Sequence, residues 1–455
     1  MPRSVRRGRV AAAAALALTL FVGRASAHGV RTVSSPIPTW LLLAGAAGAV
    51  GGTAVVLART DVSPGGDPSD LTSVSATTGD AVRWLLRAVV AVAVGAAVVE
   101  GLTGPQARVT VTTMLVWPVW FKGALLVAAV VGNPWFAVAP WVTAYDLLAR
   151  LEGDDPGLAT YPDRLGRWPA TLGFLFLVGL VENLTVVPAR PSLTAALVAG
   201  YALAMVLGAV AFGREWFRRA DPLGALYDLV GRVAPLAVRR RDDRYVVVRR
   251  PVWRAPAEPL PDAASVVLAV AAVYTVSFDG LVETPAYQRL LFDLADAGFG
   301  AFAGVATYVA GLVAFVALFR VVAAVATWAG RQRDAEADAD ADAGAVARSF
   351  GATLLPIAVA YDVAHNYPYV VENATVLART MGPSLPSTTP GAGAYWASAV
   401  GLVVLGHLVA VVAAHLASTD LFGPDATLRG HAPLVALMVG YTVLSLWILS
   451  RPVGG

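Results

Sequence analysis

Ten stretches of this 455-residue chain are apolar for about 20 residues, the length that crosses roughly 30 Å of hydrocarbon. They lie at 38–58, 83–103, 109–131, 168–188, 191–213, 263–283, 302–328, 349–372, 394–417 and 432–450. Within lipid the backbone has no water to bond, so each stretch must satisfy its own N–H and C=O groups as a helix. Only 14% of the residues are charged and 57% are hydrophobic, against about 25% charged in a soluble domain. The fold class expected is therefore all-α: a polytopic integral membrane protein of about ten transmembrane helices, with the lipid bilayer as its first partner.

Before the first stretch come a basic region (Arg3, Arg6, Arg7, Arg9), an apolar run from Val10 to Val22, and Ala25-Ser26-Ala27. That is the three-part pattern of a signal peptide, residues 1–27, which leaves 28–455 as one transmembrane domain beginning at His28. Arginine placement sets the orientation. The loop 214–262 carries eleven arginines, and 132–167 and 329–348 carry three each. The intervening loops 104–108, 189–190, 284–301 and 373–393 carry one each. The arginine-rich set is expected in the cytoplasm, with both mature termini outside the cell membrane. The 329–348 loop also holds an acidic, low-complexity Asp/Ala stretch. A net charge of +3 gives no footprint for nucleic acid, and the absence of cysteine removes disulfides and thiolate metal sites.

One phrase recurs at the ends of apolar runs. Val99 to Arg108 reads VEGLTGPQAR, Val181 to Arg190 reads VENLTVVPAR, and Val371 to Arg379 reads VENATVLAR; Phe278-Asp279-Gly280-Leu281 is a looser copy. The first two copies are 82 residues apart, and the same offset aligns Tyr145-Asp146 with Tyr227-Asp228 and Arg150 with Arg232. Internal symmetry of this kind implies tandem hairpin units, 83–151 and 165–236. Each is expected to close with an amphipathic segment at the inner surface, 134–151 and 221–236. The acids Glu100, Glu182, Asp279 and Glu372 would then end four like-oriented helices. Two readings compete: each Glu pairs with the arginine of its own turn (Arg108, Arg190, Arg379), or the acids form a ring above an outward-facing cation vestibule.

Ionisable residues inside spans are costly and point to function. On the eighth span Asp362, His365, Tyr369 and Glu372 share one helical face. On the ninth, His407 and His415 are eight residues apart on one face. Asp362, His365 and His407 form the candidate metal set, with Glu100, Glu182, Asp279, Glu372, His415 and Tyr369 as further binding candidates. Imidazole with carboxylate suits a transition metal, two histidines suit axial ligation of haem, and a His/Asp stripe suits proton relay. Hydrogen bonding between packed helices is the alternative for all of them. Lys122, the sole lysine, is expected to neutralise one of the carboxylates. No phosphate-binding, dinucleotide or hydrolase motif occurs, and no catalytic residue is assigned.

Several stretches together carry a resemblance: His28-Gly29, PIPTWL (36–41), YPDRLGRWPA (161–170), Phe278 to Leu281, LLPIAVAYDVAH (354–365), GHLVAVVAAH (406–415) and MVGYTVLSLW (438–447). They resemble a family of prokaryotic multi-pass membrane proteins labelled fenitrothion hydrolase-like. The label implies organophosphate ester hydrolysis, and the resemblance implies that His365, His407 and His415 are family features. Asn366 and Leu416 depart from the Tyr and Asp expected beside those histidines. The functional expectation is thus a protein that binds or transports a cation, a transition metal or a proton, at a carboxylate/histidine site. A metal-dependent membrane hydrolase, a haem protein and a membrane scaffold stand as alternatives.

Overall fold

The computed structural model describes residues 38–60, 65–153, 157–331, 343–380, 382, 391–423 and 427–450. The signal segment 1–27, His28 and much of the acidic loop (332–342) lie outside the described residues. Ten helices are long and apolar enough to cross a membrane: Thr39–Arg59, Ala76–Thr103, Val111–Val131, Asp163–Glu182, Pro191–Phe212, Ala263–Val282, Pro285–Gly330, Ala343–Thr380, Gly393–Phe422 and Arg429–Leu449. They are called the first to tenth spans below. The chain is a helical, multi-pass membrane protein.

The third and fourth spans are not regular α-helices. Leu115–Lys122 and Leu175–Glu182 are π-helical, with wider turns. In the third span the cause is local. Pro118 lacks an N–H and its ring would strike the carbonyl one α-turn back, so the helix opens, and the Gly123 N–H reaches the Pro118 carbonyl five residues back. In the fourth span Gly179 lets the Tyr308 hydroxyl of the seventh span press against the backbone, where a Cβ would come within 2.2 Å of it. Each π-helical stretch ends on a charged residue, Lys122 or Glu182.

The eighth span contains a break at Leu354, followed by a helix from Leu355 to Thr380. Glu372 therefore lies two turns before the helix end and is exposed, contrary to the expectation that it closes a helix. The ninth span crosses the eighth at Gly406, where a Cβ would meet the Pro356 carbonyl oxygen at 2.6 Å and Ala360 Cβ at 2.4 Å.

A three-stranded antiparallel sheet departs from the all-helical expectation. Its strands are β1 (Ser69–Ser75), β2 (Leu236–Arg241) and β3 (Arg244–Arg249), in the order β1-β3-β2. It joins the loop after the first span to the arginine-rich loop, and Arg241 pairs with Asp70 at 2.8 Å. This end of the bundle is the sheet side; the other, where Glu100 and Glu182 lie, is the hairpin side.

The two segments expected at the membrane surface differ. Pro140–Glu152 is amphipathic and exposes Leu147 and Leu151. Pro222–Gly231 is instead buried inside the bundle, with every residue but Asp228 inaccessible. The sequence PLGALYDLVG is apolar nearly all round, and such a helix belongs inside a protein rather than on a surface. Asp221 holds it there. Its carboxylate accepts the Trp135 and Trp141 indole N–H groups at 3.0 and 3.1 Å, the Tyr201 hydroxyl, and the Gly224 backbone N–H at 2.8 Å, which caps the helix. Burial pushes the Asp221 carboxyl up from its ordinary range, and these donors pull it back. The residues matched by the 82-residue offset occupy similar settings. Tyr145 and Tyr227 are both fully buried. Asp146 takes Arg87 at 2.6 Å, and Asp228 takes Arg167 at 2.9 Å.

Asp221→Ala should strand three ring donors and the helix cap together. A loss of about 3 kcal/mol or more is expected, read as a lower melting temperature in detergent. Asp146→Asn should leave the helix 222–231 protected from hydrogen exchange, whereas Asp221→Ala should expose it.

Candidate functional site

Four ionisable side chains from four spans meet in one cavity. Lys122 of the third span stands 3.0 Å from Glu182 of the fourth and 3.9 Å from Asp362 of the eighth. Asp279 of the sixth lines the same cavity. His365 stands with its Nε2 3.4 Å from Asp279 Oδ2. All are buried or nearly so: Lys122 is 5% exposed, Glu182 6% and Asp362 9%. On the sheet side the cavity is walled by Leu226, Leu229 and Val230 of the buried helix.

Local structure places each group. Lys122 and Glu182 sit at the ends of the two π-helical stretches. Asp362 and His365 lie on one face of the helix that begins after the break at Leu354, with Asn366 one turn beyond Asp362 and its Nδ2 donating to the Asp362 carbonyl at 3.2 Å. Glu283, one residue past the end of the sixth span, faces the same group. Burial pushes its carboxyl up to about 7, with the His365 charge lowering it and the Asp279 charge raising it.

The cluster is unbalanced in charge and in hydrogen bonding. Against Lys122 stand Glu182, Asp279 and Asp362. Among the described residues, Glu182 Oε2, Asp362 Oδ2 and Asn366 Oδ1 are buried with no hydrogen-bond partner. All three are oxygens, and all three accept. Buried polar atoms of a folded protein are satisfied in the great majority of cases, so three unmet acceptors together mark a place for positive charge or for donated protons.

The expected site residues distribute as follows. Glu182, Asp279, Asp362 and His365 come together, and the partner of Lys122 is Glu182. Glu100 does not join them. It accepts from the Thr112 backbone N–H at 3.1 Å and from the Thr112 hydroxyl, fastening the first hairpin. Glu372 is exposed and Glu100 is turned into its own hairpin, so the four repeat acids do not form one ring. Among the described residues Glu182 pairs with Lys122 and not with Arg190 of its own turn. Tyr369, about 10 Å along the helix from Asp362, lines a second pocket on the hairpin side with Arg108 and Asn373.

The histidines of the ninth span lie apart from the carboxylates. His407 is fully buried, and its Nδ1 donates to the Val403 carbonyl at 2.8 Å. It is next to Gly406, at the level of Pro356 and Ala360, rather than beside His365. No described contact joins it to Asp362, and no three His, Asp or Glu side chains gather as a metal site among the described residues. His415 meets His431 of the tenth span, their ring centres 5.9 Å apart.

Sequence reasoning overlooked Glu283 and the cavity wall 222–231. Glu283 sits four residues after Asp279, one helical turn on the same face, and that spacing could have revealed it. The wall could have been found from the lack of any charge but Asp228 between Pro222 and Gly231. No family model, no curated protein and no solved structure matches the chain.

Removing one partner of a buried ion pair strands the other. Lys122→Met is expected to destabilise the protein by about 3–5 kcal/mol, and Lys122→Met with Glu182→Gln to recover most of that. Melting temperatures of the two single variants and the double variant form the cycle that checks it.

Proposed function

We propose that the protein binds a small hard cation, a proton or a metal ion that prefers oxygen, at the Lys122/Glu182/Asp279/Asp362/His365 cluster, and moves it across the membrane. One observation carries this reading: among the described residues three buried oxygens, Glu182 Oε2, Asp362 Oδ2 and Asn366 Oδ1, have no hydrogen-bond partner. The three unmet acceptors are all oxygens, which favours a proton or a hard ion over a transition metal. The position of His407, at the level of Pro356 and apart from the cluster, weighs against Asp362, His365 and His407 acting as a single transition-metal site.

The surrounding architecture supports passage from one side. The buried helix 222–231 blocks the sheet side with apolar side chains. Towards the hairpin side the polar residues continue, through Asp279 and His365 to Glu283. By the arginine distribution that side faces outward, so the cluster is an outward-facing site with its inner path closed. Lys122 acts as an internal countercharge: it allows carboxylates to be buried, and a cation arriving at Asp362 or Glu182 competes with it.

A ligand that binds only the folded protein stabilises it, by about 2.7 kcal/mol at one hundred times its dissociation constant. The melting temperature of the purified protein should therefore rise either as pH falls or as one cation among Na⁺, K⁺, Mg²⁺ and Ca²⁺ is added. That dependence should vanish in Asp362→Asn and Glu182→Gln. Melting that is flat against pH and all four ions, or equally sensitive in both variants, would exclude the cluster as the site. Flux into liposomes, driven by a gradient of whichever cation responds, then tests transport.

A further inference from the structure

The two π-helical stretches also bound an apolar pocket, apart from the ion pair at their ends. It is lined by Trp117, Trp120 and Phe121 of the third span, Leu177 of the fourth, and Leu197 and Tyr201 of the fifth. π-Helical turns occur frequently at functional sites. Phe121 and Val178 line both this pocket and the carboxylate cavity, so the two lie back to back. Leu177 and Leu197 are half-buried, and the same two helices expose Phe176 and Leu203. In a membrane-spanning bundle such side chains face hydrocarbon, so the pocket opens to lipid. It offers one unmet polar atom. The Trp117 Nε1–H donates to the Thr194 hydroxyl at 3.0 Å, and the Tyr201 hydroxyl donates to Asp221. Among the described residues, Trp120 Nε1 is buried with no hydrogen-bond partner. Trp135 stacks on the Trp120 ring, with centres 5.3 Å and planes 28° apart, which holds the indole in place. An indole N–H only donates, so its complement is an acceptor set among apolar surfaces.

We propose that this pocket binds a membrane-soluble carbonyl compound of the quinone class. Its flat ring packs among Trp117, Trp120, Phe121 and Tyr201, one carbonyl oxygen accepts from Trp120 Nε1, and its apolar tail leaves into the lipid. Depth selects this occupant over a phospholipid. Trp120 stands nine residues from Val111 and eleven from Val131, roughly 14–16 Å from either end of the third span. The hydrocarbon layer is about 30 Å thick, so Trp120 is near its middle, whereas phospholipid ester carbonyls stay at its edge. Four aromatic side chains favour a planar partner in stacked or edge-on contact. An apolar lining with a single placed polar group is the usual make-up of a small-molecule site. Occupancy also bears on the charge centre, because the Lys122 ammonium lies over the Phe121 ring, 5.0 Å from its centre. Binding in the pocket does not depend on cation binding at the cluster.

The test is titration of the full-length protein in phosphatidylcholine nanodiscs with a tritiated benzoquinone bearing a decyl tail, binding to empty nanodiscs being subtracted. One saturable site per chain is expected, displaced by the unlabelled quinone but not by decylbenzene, which has the tail and no carbonyl. Trp120→Phe keeps an aromatic ring and removes the donor, and should weaken binding about three- to tenfold, the worth of one hydrogen bond. Leu197→Trp should fill the pocket and abolish binding, while Asp362→Asn binds as the unaltered protein does. Absence of saturable binding, unchanged affinity in Trp120→Phe, or loss of binding in Asp362→Asn would overturn the proposal. Full displacement by decylbenzene would overturn it too, marking a groove for lipid chains. If Trp120→Phe fails to fold, judged by its melting without ligand, Leu197→Trp is read in its place, and affinity retained there is equally fatal.

Discussion

An ammonium group inside hydrocarbon needs an opposite charge at contact distance, and much of this bundle can be read as the means of supplying one to Lys122. Desolvating a single charge costs several kcal/mol even after the protein relaxes. The 3.0 Å contact with Glu182 offsets that cost, but only if the third and fourth spans are held in a fixed rotation about their axes. The π-helical stretches set that rotation. A wider turn shifts every later side chain around the helix, and both stretches end on the members of the pair. π-Helical residues make up well under 1% of ordinary proteins, so two such stretches meeting at one ion pair tie backbone shape directly to the charge centre.

Once Lys122 is neutralised by Glu182, the remaining carboxylates become the surplus. Asp362 is 3.9 Å from the same ammonium, too far for a hydrogen bond, and Asp279 has turned towards His365. The cluster thus holds a close ion pair, whose Glu182 keeps one unmet oxygen, beside two further carboxylates in the same cavity. Asp221 contributes at a distance. By gathering two indoles, a phenol and a backbone amide, it fixes a short apolar helix where water would otherwise reach the cluster from the sheet side. Polarity on one flank and hydrocarbon on the other give the site its direction.

Hydropathy alone located all ten spans, because twenty apolar residues in a row have few other uses. Lys122 was legible for the complementary reason: a lone intramembrane cation requires a partner. Which partner was not legible, since the repeated phrase sets an arginine close in sequence to each glutamate and leaves own-turn pairing and a ring of acids both open. Glu182 ends a π-helical stretch whose Gly179 packs against Tyr308, more than a hundred residues away in the chain. His407 misled in the same manner. It belongs by residue type to the candidate metal set with Asp362 and His365, but the close crossing at Gly406 sets it at the level of Pro356. The helix 222–231 was misjudged because its position after an arginine-rich turn suggested a surface, although its composition suggested a core.

The small sheet has a consequence for how the chain is threaded. β1 and β3 pair directly, with Ser75 opposite Arg244 and Ser69 opposite Arg249. Two strands of one sheet cannot lie on opposite faces of a bilayer, so the chain between them must cross an even number of times. The second to fifth spans make four crossings, and the parity is met. The pairing also joins segments about 170 residues apart in the chain, so the first span waits, unfastened at its sheet-side end, until four more have been inserted. The sheet is a late-closing clasp that fixes the bundle's topology after the fact.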